Sequence, residues 1–447
     1  MNTPSMACLH FAQLLMGLLT IATPLLPAQQ TSFFRANLQH SGEYEAAGVH
    51  QLHGVQWSFA TDGQLIASPA IAGDQIYTAS TAGTLYALDR HSGKCLWKYA
   101  VKGRITSTPA IVNGIVYFAA YDGFFYALKA ADGALLWKHA SHGERRFAAP
   151  NLHGMQPAAE SHPDPWDNYL SSPAVWQNIV YFGSGDGNIY ALRAKDGAML
   201  WQFKTGNVVH ASPAIADGML FIGSWDCNFY ALDALTGKEK WHYQTGHDAE
   251  NHNQEGIQSS AAIVDGIVYF GSRDSHLYAL DEWTGAVRWI NSTDYSWVLA
   301  SPAVSHGIVY YPTSDSSKLI AAEAKSGKIL YSIGFDGWPI FSSPAVADSM
   351  LYIGSTQGSL SAIDLKQKQI VWTYQTKASI AAQTSLKTED KNGSYFAAFG
   401  NPPFSFYDDV MAVYNKLLST GSVLSSPVIA DCHVYFGSTD GKLYALE

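Results

Sequence analysis

Three observations in this 447-residue sequence predict an all-β chain closed into a single eight-bladed β-propeller. A small-Pro-small tripeptide recurs from residue 68 to the C-terminus: Ser68-Pro69-Ala70, Thr108-Pro109-Ala110, Ser172-Pro173-Ala174, Ser212-Pro213-Ala214, Ser260-Ala261-Ala262, Ser301-Pro302-Ala303, Ser343-Pro344-Ala345 and Ser426-Pro427-Val428. Alanine stands at one matching place in every copy, at positions 87, 127, 191, 231, 279, 321, 362 and 445, and an aromatic follows it in all but the last. The two chain ends hold complementary parts of one copy. A repeat of about 40 residues with strand-like content means a propeller or an array of repeats.

The N-terminus comes first. Phe11 to Leu26 form a mainly apolar run ending at Pro27-Ala28-Gln29, which reads as a signal peptide cut near Ala28, although no Lys or Arg precedes it. The run is short, holds Gln13 and Pro24 and lacks a stop-transfer flank, so a membrane-spanning helix is the weaker reading. Export to the periplasm or cell envelope is therefore expected. The only early cysteine, Cys8, lies ahead of the apolar run, so lipid anchoring is not supported. Residues 29–51 form a lead-in segment, and the propeller is expected over 52–447.

The fourth copy shows the grammar of a blade. After Ser212-Pro213-Ala214 come a turn at Asp217-Gly218, the run Leu220-Phe221-Ile222-Gly223-Ser224, a second turn, Phe229-Tyr230-Ala231-Leu232-Asp233, the turn Thr236-Gly237, and Lys240-Trp241-His242-Tyr243. Short runs rich in β-branched and aromatic residues between Gly, Asp, Asn and Ser are strands joined by tight turns. Each copy thus makes a four-stranded antiparallel sheet. Proline cannot donate to a ladder, so the anchor places the first strand at a sheet edge, nearest the crowded axis. The aromatics Trp97, Trp137, Trp201, Trp241, Trp289, Tyr331 and Trp372 are expected to pack between neighbouring blades. Trp57 precedes the first anchor, and the last copy stops at Tyr444-Ala445-Leu446-Glu447 without a fourth strand. The strand Val55 to Ala60 therefore completes the blade begun at Ser426, which removes free edges and ties the termini together. Open solenoids and two smaller propellers fit these complementary ends less well.

Tyr230-Ala231-Leu232-Asp233 with Thr236-Gly237 and Trp241, echoed by Tyr278-Ala279-Leu280-Asp281, Thr284-Gly285 and Trp289, resembles the tryptophan-docking repeat of the pyrroloquinoline quinone (PQQ) repeat propellers. The resemblance covers about residues 52 to 447. Copies six and seven depart most, with Tyr331 in place of Trp and Gln367-Lys368 in place of Thr-Gly. The resemblance implies one of two functions, because a fold does not determine an activity. One branch holds PQQ- and calcium-dependent dehydrogenases of alcohols or sugars. The other holds non-enzymatic BamB-like propellers, which bind protein partners in the cell envelope, and the chain length sits closer to it.

Charge and cysteines narrow the partners. Lys plus Arg number 27 and Asp plus Glu 37, a formal charge of −10 that disfavours nucleic acid or an anionic membrane. An envelope protein or peptide partner is expected, with the chain itself a monomer. Three cysteines follow the cleavage site, so at least one thiol stays free. Cys95 starts an outer strand and Cys432 lies in a turn near the inner strands of the adjacent blade, which disfavours their pairing.

Function-bearing segments are those that break the repeat. Extra residues occur at 142–170, 246–257 and 377–425, each joining a fourth strand to the next blade's first strand, so all three emerge on one face. Turns between second and third strands open on that face too, and Tyr121, Trp225 and Arg273 put large side chains there. With Arg145, Trp166 and Trp338, these residues outline a candidate interaction face; plain coverage of loops by large side chains explains them as well. The first insertion fits either a cap over the central channel or a partner surface. In the second, His247 and His252 lie five apart on a loop, which is no established ligand pattern, so no metal is expected there. In the third, Asn392-Gly393 signals a hairpin, and Asp408 to Leu418 places Val410, Val413, Tyr414, Leu417 and Leu418 on one helical stripe, with Gly421 able to end the helix.

A quinone dehydrogenase needs an aromatic floor and lid, a Ca²⁺ held by oxygens, a carboxylate base and a cation beside the quinone. Glu144, Arg145, Asp167, Glu250, Glu255, Asp294, Trp297, Asp336 and Trp338 are available on the decorated face, yet none maps onto a dehydrogenase motif. The adjacent cysteine pair common in that branch is missing. No Ser-His-Asp, nucleotide-binding or HExxH pattern is present either. No catalytic residue and no cofactor are therefore expected; PQQ with calcium belongs to the alternative reading alone.

Overall fold

The computed structural model describes residues 31–385 and 405–447. The expected signal peptide and the Asn392-Gly393 hairpin lie outside the described residues.

Eight antiparallel blades of four strands stand around one axis. Blade 1 runs Ala70–Ala72, Gln75–Ala79, Thr84–Asp89 and Cys95–Ala100 from the inside out. Blade 8 consists of Val428–Ala430, His433–Gly437 and Lys442–Leu446, with Val55–Ala60 as its outermost strand. Val55 pairs with Leu446 and Trp57 with Ala445, which closes the ring as the complementary ends require.

The anchor hydroxyls are linked head to tail around the axis. The backbone N–H of each anchor Ser or Thr donates to the side-chain oxygen of the next anchor: Ser68 to Thr108, Thr108 to Ser172, and onward through Ser212, Ser260, Ser301 and Ser343 to Ser426. Ser426 N–H then returns to Ser68 at 2.8 Å. A short hydroxyl is what reaches a neighbouring backbone there, and each such bond contributes about 1 kcal/mol.

Between blades, the outer-strand indoles bond to the next blade. Trp57 Nε1 donates to the carbonyl of Arg90 at 3.0 Å, Trp97 to Ala130, Trp137 to Ala194, Trp201 to Ala234, Trp241 to Glu282 and Trp289 to Ala324. Within a blade the indole stands opposite the repeated alanine, as in Ala231 with Trp241. The turn glycine of the next blade lies flat on the indole: a Cβ at Gly285 would sit 2.7 Å from Trp241, and Gly285 holds φ +70°, so the turn tolerates no side chain. The two departures from the repeat belong to one such interface. Blade 6 carries the smaller Tyr331, and opposite it blade 7 carries Lys368, whose ammonium lies 5.3 Å from the Tyr331 ring.

The lead-in crosses one end of the axis. Ser32, Leu38, Gln39, Ser41 and Gly42 offer carbonyls to the N–H groups of Ile111, Ile215, Ile263, Val304 and Val346 on inner strands, donors that an inner edge would otherwise leave unpaired. Glu43–Tyr44 adds a short parallel strand to blade 7. Arg35 is fully buried in this plug and donates to the carbonyls of Pro344 at 2.5 Å and Pro302 at 2.9 Å. His40, also buried, packs edge-on against Phe34.

The other end is covered by the three insertions. The first forms a small hairpin, Ala148–Pro150 with Ser161–Pro163, around the short 3₁₀ turn Leu152–Gly154. The third contains helix α1, Lys377–Ser385, which the sequence reading did not anticipate, and α2, Tyr407–Leu418. The expected stripe of α2 is buried, with Asp408 and Asp409 in its first turn and Lys416 in its last, matching the macrodipole. The helix caps at Ser419, and Gly421 follows in the left-handed region two residues on. Thr420 turns its N–H and hydroxyl back onto the Leu417 carbonyl, and Gly421 at φ +78° fits against Thr376. Cys95, Cys227 and Cys432 are all free thiols.

Candidate functional site

Aligning the eight anchors shows which side chains face the axis. Two residues before each anchor stand Ile66, Thr106, Leu170, His210, Gln258, Leu299, Phe341 and Leu424. Six of them, all but Ile66 and Leu424, line with the anchors a central chamber of about 40 Å³, to which Tyr169 and Phe34 also contribute. Tyr169 donates to the Leu424 carbonyl at 2.9 Å.

His210 is the one ionisable side chain in that row, and the sequence reading missed it. Its Nδ1 lies 2.6 Å from Asp167 and its Nε2 2.9 Å from Glu144, all three side chains being buried. Burial alone would lower the pKa of His210, but Asp167 and Glu144 reverse the effect and raise it to about 10, so the imidazole is held charged. Glu144 reaches this depth because Gly185 leaves room: a Cβ at residue 185 would overlap the carboxylate. Asp167 also accepts the Phe147 N–H at 2.8 Å, tying the first insertion down at its base.

A second buried cation lies beside it. Arg273 donates to Asp164 at 2.7 Å and is sandwiched between Trp297, 3.9 Å from its guanidinium carbon, and Trp225 at 4.8 Å. Asp164 also meets His153 at 3.0 Å. Burial would raise the Asp164 pKa, yet Arg273 and His153 hold it well below the usual carboxylate range. Phe147 stacks on Trp225 with centroids 4.6 Å apart and planes 10° from parallel.

The three insertions meet over these groups. His153 N–H reaches the Asn251 carbonyl, and its ring meets Asn253, so the first insertion is bonded to the second. Tyr407 of α2 donates to the Pro163 carbonyl and stacks on His162, while Tyr414 bonds Asn168 and meets Trp166 edge-on. Between them remains a cleft of about 330 Å³ lined chiefly by Trp166, Trp297, Tyr295, Phe341, His153 and Asp315. Tyr295 is 86 % exposed at its rim.

Of the residues outlined from sequence, Trp225 and Arg273 are buried beneath the cap, Trp338 is 7 % exposed, Tyr121 and Trp166 are half-buried, and Arg145 is exposed. Arg104 lies over the Tyr121 ring at 4.0 Å. Of the residues considered for quinone chemistry, only Glu144 and Asp167 converge, on His210; Trp297 covers Arg273. Glu255 bonds His247 and His252 instead, and Glu250, Asp294 and Asp336 are exposed.

These groups do not fit PQQ, a flat tricarboxylate. Phe147 already covers one face of Trp225, and Arg273 is neutralised by Asp164. The cleft itself presents the carboxylate of Asp315. Among the described residues lining the cleft, an anion with three carboxylates meets no free cation.

Comparison with known proteins places the chain. The family described as outer membrane protein assembly factor BamB matches residues 52–162, 160–296 and 273–400. No curated protein sequence matches. Among solved structures, BamB from Moraxella catarrhalis is similar at 18% identity and TM-score 0.62, covering 88% of this chain and 97% of that one. A europium-containing methanol dehydrogenase is similar at 14% identity and TM-score 0.68, covering 94% and 98%. The quinohemoprotein alcohol dehydrogenase of Comamonas testosteroni is similar at 13% identity and TM-score 0.68, covering 93% and 80%. At these identities the structural likenesses speak for the fold, which both kinds of protein share. The ring closure, the docked indoles and the family match together mean that this chain belongs to the BamB-like family of PQQ-repeat propellers.

Proposed function

We propose that the protein is a non-catalytic scaffold of the cell envelope that holds a segment of a partner protein in the cleft over its capped face. The observation that carries this reading is the chemistry of the cleft: aromatic walls from Trp166, Trp297, Phe341 and Tyr295, with Asp315 as its carboxylate. Among the described side chains, only Ser314 donates to the Asp315 carboxylate, so it is available to a cationic or donor group. His153 and the Arg273–Asp164 pair are committed to one another. Aromatic walls with a single carboxylate suit a peptide carrying Arg or Lys beside apolar residues. The net charge of −10 favours the same partner.

The family's description as an outer membrane protein assembly factor supports a place in the envelope. No helix among the described residues is long and apolar enough to cross a membrane. Export through the N-terminal apolar run fits this reading.

Titrating the purified chain with fluorescent peptides that pair one Arg or Lys with aromatic residues tests it. Asp315→Asn and Tyr295→Ala should each weaken binding about tenfold, a loss of roughly 1.4 kcal/mol, with unchanged melting temperature. Equal affinity in both variants would refute the cleft as the docking site. Adding PQQ with Ca²⁺ should neither raise the melting temperature nor support dye-linked alcohol oxidation; turnover would overturn the non-catalytic reading.

A further inference from the structure

Beside the cap, the second insertion meets the turn between the second and third strands of blade 4 at a group of side chains that the channel mouth does not use. Cys227 Sγ, His247 Nδ1 and a carboxylate oxygen of Glu255 all lie within 4.8 Å of one another. The sulfur is 3.7 Å from His247 Nδ1, which is 2.9 Å from Glu255 Oε2. The second Glu255 oxygen accepts a hydrogen bond from His252 Nδ1 at 2.5 Å. Cys227 and Glu255 are buried, while the His247 side chain is 56% exposed, so the group opens to solvent on one side.

We propose that this is a binding site for Zn²⁺ or a similar borderline-soft divalent ion, with Cys227, His247 and Glu255 as ligands and solvent at the fourth position. His252 acts as a positioning residue that orients Glu255. Thiolate, imidazole and carboxylate together are the donor set of zinc, whereas Ca²⁺ and Mg²⁺ take oxygen ligands. Tetrahedral bonds of about 2.0–2.3 Å set ligand atoms roughly 3.3–3.7 Å apart. The sulfur–nitrogen separation already has that value. The shorter His247–Glu255 contact is a hydrogen bond that opens by a few tenths of an ångström when the ion replaces the proton. On binding, the Cys227 thiol proton leaves to solvent, and neutral His247 carries its one proton on Nε2, which frees Nδ1 for the ion.

Two features of the chain support a built site. Asp248 accepts the N–H groups of Glu250, Asn251, Asn253 and Gln254, which holds the loop between His247 and Glu255 in one shape. Cys227 stands at φ +67°, at the turn position that blades 1, 2 and 3 fill with Gly83, Gly123 and Gly187. A side chain there costs about 1–2 kcal/mol, and this one brings its sulfur to His247.

The test uses the full chain stripped with a chelator and reloaded with Co²⁺ or Zn²⁺. One equivalent of Co²⁺ should give tetrahedral d–d absorption with a thiolate charge-transfer band, and Zn²⁺ should displace it and raise the melting temperature. Cys227→Ser should fold, because Ser275 and Ser317 occupy the same position in blades 5 and 6 at positive φ, and should lose the charge-transfer band. His252→Ala should weaken the metal about 10–100-fold. Cys432→Ser, which removes an exposed thiol, should change nothing. Absence of binding, a Co²⁺ spectrum without the thiolate band, or a band that survives Cys227→Ser would overturn the proposal.

Discussion

The two ends of the axis bury one arginine each, and they hold it in opposite ways. In the plug, Arg35 rests on the carbonyls of Pro344 and Pro302 with no carboxylate partner among the described residues, and burial lowers its pKa to about 10. In the cap, Arg273 is paired with Asp164 and sandwiched by two indoles. The buried histidines follow the same division. Burial, helped by Arg35, lowers the His40 pKa to about 3, so it is neutral; His210, gripped by Asp167 and Glu144, is charged. The plug end satisfies backbone edges, and its polar groups serve the ring. The cap end spends carboxylates on holding insertions to one another, and among the described residues it opens a cleft with the Asp315 carboxylate to solvent.

Replacing each arginine by methionine breaks the comparison most directly. Arg273→Met leaves Asp164 buried without its cation and should cost about 3–5 kcal/mol in urea unfolding. Arg35→Met abandons two carbonyl bonds but strands no charge, so about 1–2 kcal/mol is expected. Equal losses would mean that the carboxylate partner does not distinguish the two ends.

The histidines give opposite pH responses. His40 binds no proton when folded until about pH 3, against an ordinary 6.5, so its contribution is complete above pH 6.5 and is lost as pH falls. His210, raised to about 10, contributes fully below pH 6.5, and its contribution is lost as pH rises through 10. Each slope should approach about 1.4 kcal/mol per pH unit. Urea midpoints across this range should lose the acid slope in His40→Asn and the alkaline slope in His210→Gln, each variant keeping the other.

Midway between the ends, Ser212→Ala deletes one member of the anchor ring and leaves the Ser172 N–H without its partner. A loss of about 1 kcal/mol in thermal or urea unfolding is expected, with the cap unaffected. A neutral result would show that water replaces the hydroxyl and that the ring is dispensable to the closed axis.

Much of the fold was legible because blades repeat. Trp57 ahead of the first anchor and Leu446 at the end of the last copy identified one split sheet, since a strand with the right alternation fits a single gap. The helical stripe of α2 was readable for the same reason: Val410, Val413, Tyr414 and Leu417 share one face. His210 was readable in principle, as the one charged member of the row two residues before each anchor. The Tyr331 and Lys368 departures looked unrelated in sequence, although they are the two sides of one contact. The end of α2 combines a signal read from sequence with one that was not: Gly421 takes the left-handed conformation, and the Thr420 hydroxyl bonds the Leu417 carbonyl.

From sequence alone came the number of blades, their strand order, the closure through the two ends and the face on which the insertions emerge. Those follow from local periodicity and turn chemistry, which each segment carries within itself. Tertiary structure alone decided that Asp164 meets Arg273, that Glu144 and Asp167 close on His210, and that Cys227 lies against His247 and Glu255. These partners come from different blades and insertions, and a residue's spacing along the chain says nothing about which distant carboxylate will share its burial.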